Sequence, residues 1–114
     1  MNLEPRNKDL ATVTKGDTFP GINLTATGTT EDLSSVKMEV WLEGATSAAL
    51  TLSSGSGITI NTATAGAWDF TIDEINPVTL AAGWYSYDLD TTDAAGTVRT
   101  RLKGTWNILP ELAD

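Results

Sequence analysis

The side chains able to do chemistry here are fifteen carboxylates, seven Lys and Arg, four Trp and a set of hydroxyls. The 114 residues contain neither Cys nor His. That absence removes thiol nucleophiles, imidazole bases, disulfide scaffolds and Cys- or His-ligated zinc together. Two carboxylate groupings remain to be weighed. Asp88, Asp90 and Asp93 have the alternation of an oxygen cage for calcium, but they lack the glycine turn and terminal Glu of an EF-hand loop. Read against the hairpin derived below, they are turn and salt-bridge carboxylates. Asp69, Asp73 and Glu74 could supply the paired acids of a glycosidase. No cleft signal accompanies them, and Asp73-Glu74 reads better as the negatively charged start of one helical turn before Pro77. Gly55-Ser56-Gly57 is followed by neither Lys nor a helical pattern, so it reads as a hairpin turn and not a phosphate loop. The inventory therefore points to a protein without catalytic, cofactor-binding or metal-binding residues.

Contact chemistry is better represented. Trp41 and Trp84 fall at alternation positions that face outward. Aromatic residues there anchor protein interfaces or stack on sugar rings. Trp68 and Trp106 fall inward and belong to the core. Arg99, Arg101 and Lys103 make the one basic stripe, a candidate contact for an acidic protein. The net charge of −8 and pI near 4.2 repel phosphate backbones and anionic lipid, which argues against nucleic acid and membrane partners. No apolar run approaches the ~18 residues of a membrane span, and the first residues lack a secretory hydrophobic core. Synthesis in a cytoplasm is expected.

The elements that must position these residues read as strands. Nineteen Thr, with Val, Ile and Trp, suit a pleated half-buried surface and lose side-chain freedom in helices. Short alternating runs recur between Gly, Asn, Asp and Ser clusters, the pattern of an antiparallel sandwich or barrel. The clearest is residues 36–43, with Val36, Met38, Val40 and Leu42 on one face and Lys37, Glu39, Trp41 and Glu43 on the other. Further strands are predicted over 19–26, with Ile22 and Leu24 inward, at Leu50 and Leu52, over 58–60, and over 68–72. A turn over 61–66 separates the last two.

The final hairpin permits a register argument. Residues 84–89 and 98–108 both alternate. A four-residue loop at 93–96 sets Thr92 opposite Thr97, Asp90 opposite Arg99, Asp88 opposite Arg101 and Ser86 opposite Lys103. Tyr87 then meets Leu102, and Tyr85 covers Gly104. One face carries charge pairs and the other apolar residues, an agreement that a one-residue slip destroys.

Several segments together resemble a known group. Thr14-Lys15-Gly16-Asp17-Thr18-Phe19 is similar to the Gly-Asp-Thr-aromatic entry of small β-sandwich domains in bacteriophage baseplate and tail-fibre proteins, such as the N-terminal domain of siphophage upper baseplate proteins. Leu80-Ala81-Ala82-Gly83-Trp84-Tyr85-Ser86-Tyr87-Asp88-Leu89 resembles that group's Leu-Pro-Ala-Gly-X-Tyr-X-Tyr-Asp-Leu segment, with Ala81 in place of Pro. Thr97-Val98-Arg99-Thr100-Arg101-Leu102-Lys103-Gly104 resembles its Thr-Val-Arg strand, and Gly57-Ile58-Thr59-Ile60 its middle strand. The likeness spans 14–108.

The resulting expectation is an all-β, immunoglobulin-like antiparallel β-sandwich of about seven to eight strands over 10–108. It carries an N-terminal arm at 1–9 and a C-terminal tail at 109–114. The resemblance implies a non-enzymatic virion protein, made in the host cytoplasm. It would be a tail or baseplate accessory or adaptor docking onto other virion proteins or further copies of itself, or alternatively a head-decoration protein. Trp41, Trp84, Arg99, Arg101 and Lys103 are its contact candidates. A carbohydrate-binding module using the exposed Trp residues is the alternative from another class.

Overall fold

A computed structural model of the chain describes residues 6–27 and 31–111. Residues 1–5 of the expected arm and 112–114 of the expected tail lie outside the described residues. Nine strands follow in order: β1 (Arg6–Asn7), β2 (Val13–Thr14), β3 (Ile22–Thr27), β4 (Ser35–Leu42), β5 (Leu50–Ser54), β6 (Gly57–Thr64), β7 (Ala67–Ile72), β8 (Gly83–Thr92) and β9 (Val98–Leu109). They form one mixed sheet in the order β1-β9-β8-β4-β5-β6-β7-β3, with β2 also on β9, curled into a half-barrel. No helix occurs among the described residues.

Alternation builds this sheet. In β4, Val36, Met38 and Val40 are buried; in β7, Trp68, Phe70 and Ile72; in β8, Tyr85, Tyr87, Leu89 and Thr91; in β9, Leu102, Trp106 and Ile108. One hydrophobic cluster gathers all but the polar Thr91, together with Leu10, Val13, Phe19, Leu33, Leu52, Ile58 and Val78. The two ends of the strand order meet across it. Phe19, just before β3, packs edge-on against Trp106 of β9 at 5.1 Å. Arg101 of β9 lies over the Trp68 ring of β7 at 5.6 Å. The step from β5 to β6 is a sharp corner closed by Ser56 N–H to Ser53 O at 2.7 Å, and only two residue pairs join those strands, in parallel.

Five expectations change, the simplest at Leu42, which alternation places inward but which ends β4 and is 40% exposed. The sheet is mixed, because segment 6–14 lies parallel to β9 as β1 and β2 and the β5–β6 corner also pairs in parallel; pairings of two residues carry no alternation for a sequence to display. The turn expected over 61–66 shrinks to Ala65-Gly66. β6 runs on to Thr64 through a bulge between Ile60 and Thr62. The helical turn expected at Asp73 does not form. Ile75 instead exchanges two backbone hydrogen bonds with Phe19, at 2.8 and 2.9 Å, and the Asp73 carboxylate accepts from Thr59 Oγ1 at 2.9 Å.

The β8–β9 register also differs. Thr92 faces Val98, Thr91 faces Arg99 and Asp90 faces Thr100. Beyond a bulge Leu89 faces Leu102, Asp88 faces Lys103, Tyr87 faces Gly104 and Tyr85 faces Trp106. Two local devices cause the shift. The loop is one residue longer than expected, with Gly96 at φ +87°, the left-handed position that a type I turn plus bulge requires. The Asp93 carboxylate clamps it by accepting from Ala95 N–H and Thr97 N–H, both at 3.0 Å. Arg101 is then the extra residue of the bulge, a device that re-aims a side chain.

Candidate functional site

The strands β4, β8 and β9 lie side by side, so their outward residues form a grid of cross-strand neighbours. Trp84 sits opposite Asn107, and the Glu43 N–H donates to Trp84 O at 3.0 Å. The next row is Trp41, Ser86 and Thr105; the next is Glu39, Asp88 and Lys103; the last is Lys37, Asp90 and Thr100. Trp84 is 55% exposed, and Trp41 is half-buried. The two tryptophans are therefore diagonal neighbours on adjacent strands, their backbone positions about 7–8 Å apart, with Ser86 directly opposite Trp41 and two residues along β8 from Trp84. Both sequence candidates lie on one face, as their alternation positions require. Lys37 pairs with Glu39 at 3.2 Å, and Asp90 accepts from Thr100 Oγ1 at 2.8 Å.

The basic stripe does not survive the change of register. Arg99 lies opposite Thr91, which is 3% exposed, so it belongs to the inward side of the sheet. Its Nε meets Glu31 Oε1 at 2.7 Å. Arg101 pairs with Glu31 Oε2 through Nη2 and donates from Nε to Thr91 Oγ1 at 2.8 Å, while its guanidinium covers Trp68. These two arginines are fastened to one carboxylate and one indole instead of facing Asp88 and Asp90. Of the stripe, Lys103 alone stays on the outward face, exposed and opposite Asp88. Sequence reasoning missed Glu31, which stands seventy residues away from Arg101 in a stretch without periodicity.

The acidic groupings are likewise engaged. The Asp69 carboxyl is held below the usual carboxylate range by a hydrogen bond from Thr62 above all, which outweighs the opposing desolvation, and the Asn61 and Asn23 amides add to it. A general acid needs the opposite shift. Asn23 and Asn61 also both donate to Thr71 Oγ1 at 3.0 Å, which ties the outer surface of β3, β7 and β6 into one polar array. Among the described residues, no group of three or more acidic side chains gathers in a way that would hold a metal ion.

A third feature lies along the outer edge of β9. The Lys8 N–H donates to Lys103 O and the Leu10 N–H to Thr105 O, both at 2.9 Å. The core reaches out to the same segment: the Tyr87 hydroxyl donates to Lys8 O, and Trp106 Nε1 donates to Ala11 O at 3.0 Å. Asp9 Oδ1 accepts from both the N–H and the hydroxyl of Thr105, at 3.1 and 3.0 Å. Gly104 is required here, since a Cβ would run into the Lys8 carbonyl. Segment 6–9, expected to stand apart as an arm, is thus fastened to the sheet. Burial pushes the Tyr87 phenol up to about 12, helped by the nearby Asp9 charge. The opposite edge, β3, has no strand beyond it among the described residues.

Compared with known proteins, the chain matches no family model and no curated protein.

Proposed function

We propose that the chain is an immunoglobulin-like β-sandwich serving as a non-enzymatic structural component of bacteriophage virions, a tail or baseplate accessory that docks onto other virion proteins. The sandwich reading takes the β5–β6 corner as the place where the chain passes between two leaves, β9-β8-β4-β5 and β6-β7-β3. Three observations support it: the shared core, the Phe19–Trp106 contact across it, and the Tyr85 hydroxyl donating to Ala81 O, four residues upstream, at 2.6 Å. A tyrosine tied back to the backbone in this way at the start of its strand is a hallmark of immunoglobulin-like domains. The disulfide of antibody domains has no counterpart, since there is no Cys.

The virion role draws its setting from the resemblance of residues 14–108. The observation that carries the docking part is the β3 edge. Its six residues, Ile-Asn-Leu-Thr-Ala-Thr, hold no charge and no proline, two of the devices that ordinarily keep an exposed edge from pairing with another chain. An edge left in this state is suited to accept a strand from a neighbour.

The test is quantitative mass spectrometry of purified particles from the source, with a Thr25→Lys variant alongside. The reading expects the wild-type chain in particles, at low copy number for a tail or baseplate and at hundreds of copies for a capsid lattice. It expects the variant to fold but to be depleted from particles. Absence of the wild-type chain overturns the virion role, and full retention of the variant overturns docking through β3.

A further inference from the structure

The outward face of β4, β8 and β9 has a chemical character of its own. From the grid above we infer that it is a binding site for a neutral pyranose oligosaccharide, with Trp84 and Trp41 as stacking platforms and Asn107, Ser86 and Glu43 as hydrogen-bonding partners for the sugar hydroxyls.

Few classes of ligand stack on indoles. An exposed Trp ring removes its apolar face from water most readily against a flat partner that is apolar on one side and polar at its rim. Nucleobases, sugars and the apolar core of a protein interface are the three classes to consider. Protein interfaces deplete Lys, Glu, Asp and Ser around their aromatic anchors and surround them with other apolar groups. Here the neighbours are Glu43, Asn107, Ser86, Thr105, Glu39, Asp88 and Lys103, with one exposed aliphatic side chain, Leu109, at the rim two residues beyond Asn107. The other exposed aliphatic nearby, Leu42, belongs to the other face by alternation, so a single leucine at the rim stands against seven polar neighbours. Nucleobases arrive with phosphates, which the −8 charge repels. The local cations do not change this: Lys37 is paired with Glu39 at 3.2 Å, and Lys103 stands opposite Asp88. The same electrostatics disfavours sulfated, phosphorylated or carboxylated glycans and leaves neutral ones.

Sugar rings satisfy what remains. A pyranose offers one face of axial C–H groups to an indole and a rim of hydroxyls to short amide, hydroxyl and carboxylate groups. The register supplies both. Trp84 is flanked directly by Asn107 and Glu43, and Trp41 by the small Ser86. The diagonal spacing of the tryptophans, about 7–8 Å, lets one short oligosaccharide lie across both. The sheet backbone holds the platforms in place, so little ordering cost falls on binding.

This inference is independent of the β3 edge, on the other side of the molecule, and the two fail separately. The experiment titrates the full chain with short soluble oligomers of glucose, mannose and N-acetylglucosamine, following Trp fluorescence, with affinity electrophoresis in the matching polysaccharides as a second readout. At least one neutral oligomer is expected to shift the emission. Trp84→Ala is expected to weaken that binding about tenfold or more, Asn107→Ala to weaken it less, and Thr25→Ala, on the opposite leaf, to leave it unchanged. Trp84 is exposed, so its truncation leaves the core intact; unchanged thermal unfolding of the variant establishes this. Trp84→Phe, which keeps a stacking ring, is expected to recover part of the affinity. No response to any neutral oligomer overturns the inference. So does tighter binding of an anionic glycan or oligonucleotide, or Trp84→Ala binding as well as the wild type.

Discussion

The two edges of this sheet are treated in opposite ways. Along β9 the chain returns from its own N-terminus and covers the edge with segment 6–14, held by backbone bonds, by the Tyr87 and Trp106 side chains from within the core, and by Asp9. Along β3 nothing is paired outward among the described residues, and the strand carries neither charge nor proline. The closed edge demands specific residues, a glycine at 104 and a buried phenol at 87. The open edge demands only alternation. An edge with such provisions is a structural commitment, and one without them is available to a partner.

The closed edge is most vulnerable at Gly104. Gly104→Val drives a branched side chain into the Lys8 carbonyl, a backbone group that cannot move without releasing the arm. The expected loss is about 3 kcal/mol, as for overpacked cores, read as a lower midpoint in chemical unfolding with loss of hydrogen-exchange protection at Lys8 and Leu10. Tyr87→Phe leaves the shape intact but strands the Lys8 carbonyl without its donor, and about 1–2 kcal/mol is expected. The same hydroxyl sets an alkaline limit. The folded-state phenol holds its proton to about 12, against an ordinary value of 10.0. Its contribution is therefore complete below pH 10 and is lost as pH rises toward 12. A pH series of unfolding midpoints should show this fall in the wild type and a shallower one in Tyr87→Phe. Asp9→Ala removes an acceptor from Thr105 at an exposed site, and about 1 kcal/mol or less is expected in the same assay. Thr25→Lys on the open edge should change stability by under about 0.5 kcal/mol, while reducing retention in particles as proposed above. A large destabilisation by that lysine would show that β3 is not an open edge.

Much of the sheet was legible because alternation is a local signal. The inward Val36, Met38 and Val40 of β4, the inward Trp68 and Trp106, and the outward placement of Trp41 and Trp84 follow from period two alone; Leu42, at the end of its strand, does not follow it into the core. The β8–β9 pairing marks where that signal stops. Beyond the bulge the true register differs from the expected one by two residues. A two-residue shift returns every side chain to its original face, so charge stays on one side and apolar groups on the other under either pairing. Between loop and bulge the shift is one residue. There the faces do invert, which carries Arg99 from the expected outer stripe to the inner side beside Thr91.

What the sequence determined by itself, then, was composition-level and periodic: an all-β chain, an inventory without thiol or imidazole, an acidic surface, and two tryptophans on the outward face. Each rests on residue type or on spacing within one strand. The tertiary structure alone decided which partners those residues meet. Glu31 reaches Arg99 and Arg101 across some seventy residues of chain, Lys8 finds Tyr87 across seventy-nine, and Asn107 arrives beside Trp84 only through the register. Such contacts depend on one loop residue and one bulge, small local choices whose consequences propagate along the whole ladder. A periodic pattern contains no record of them.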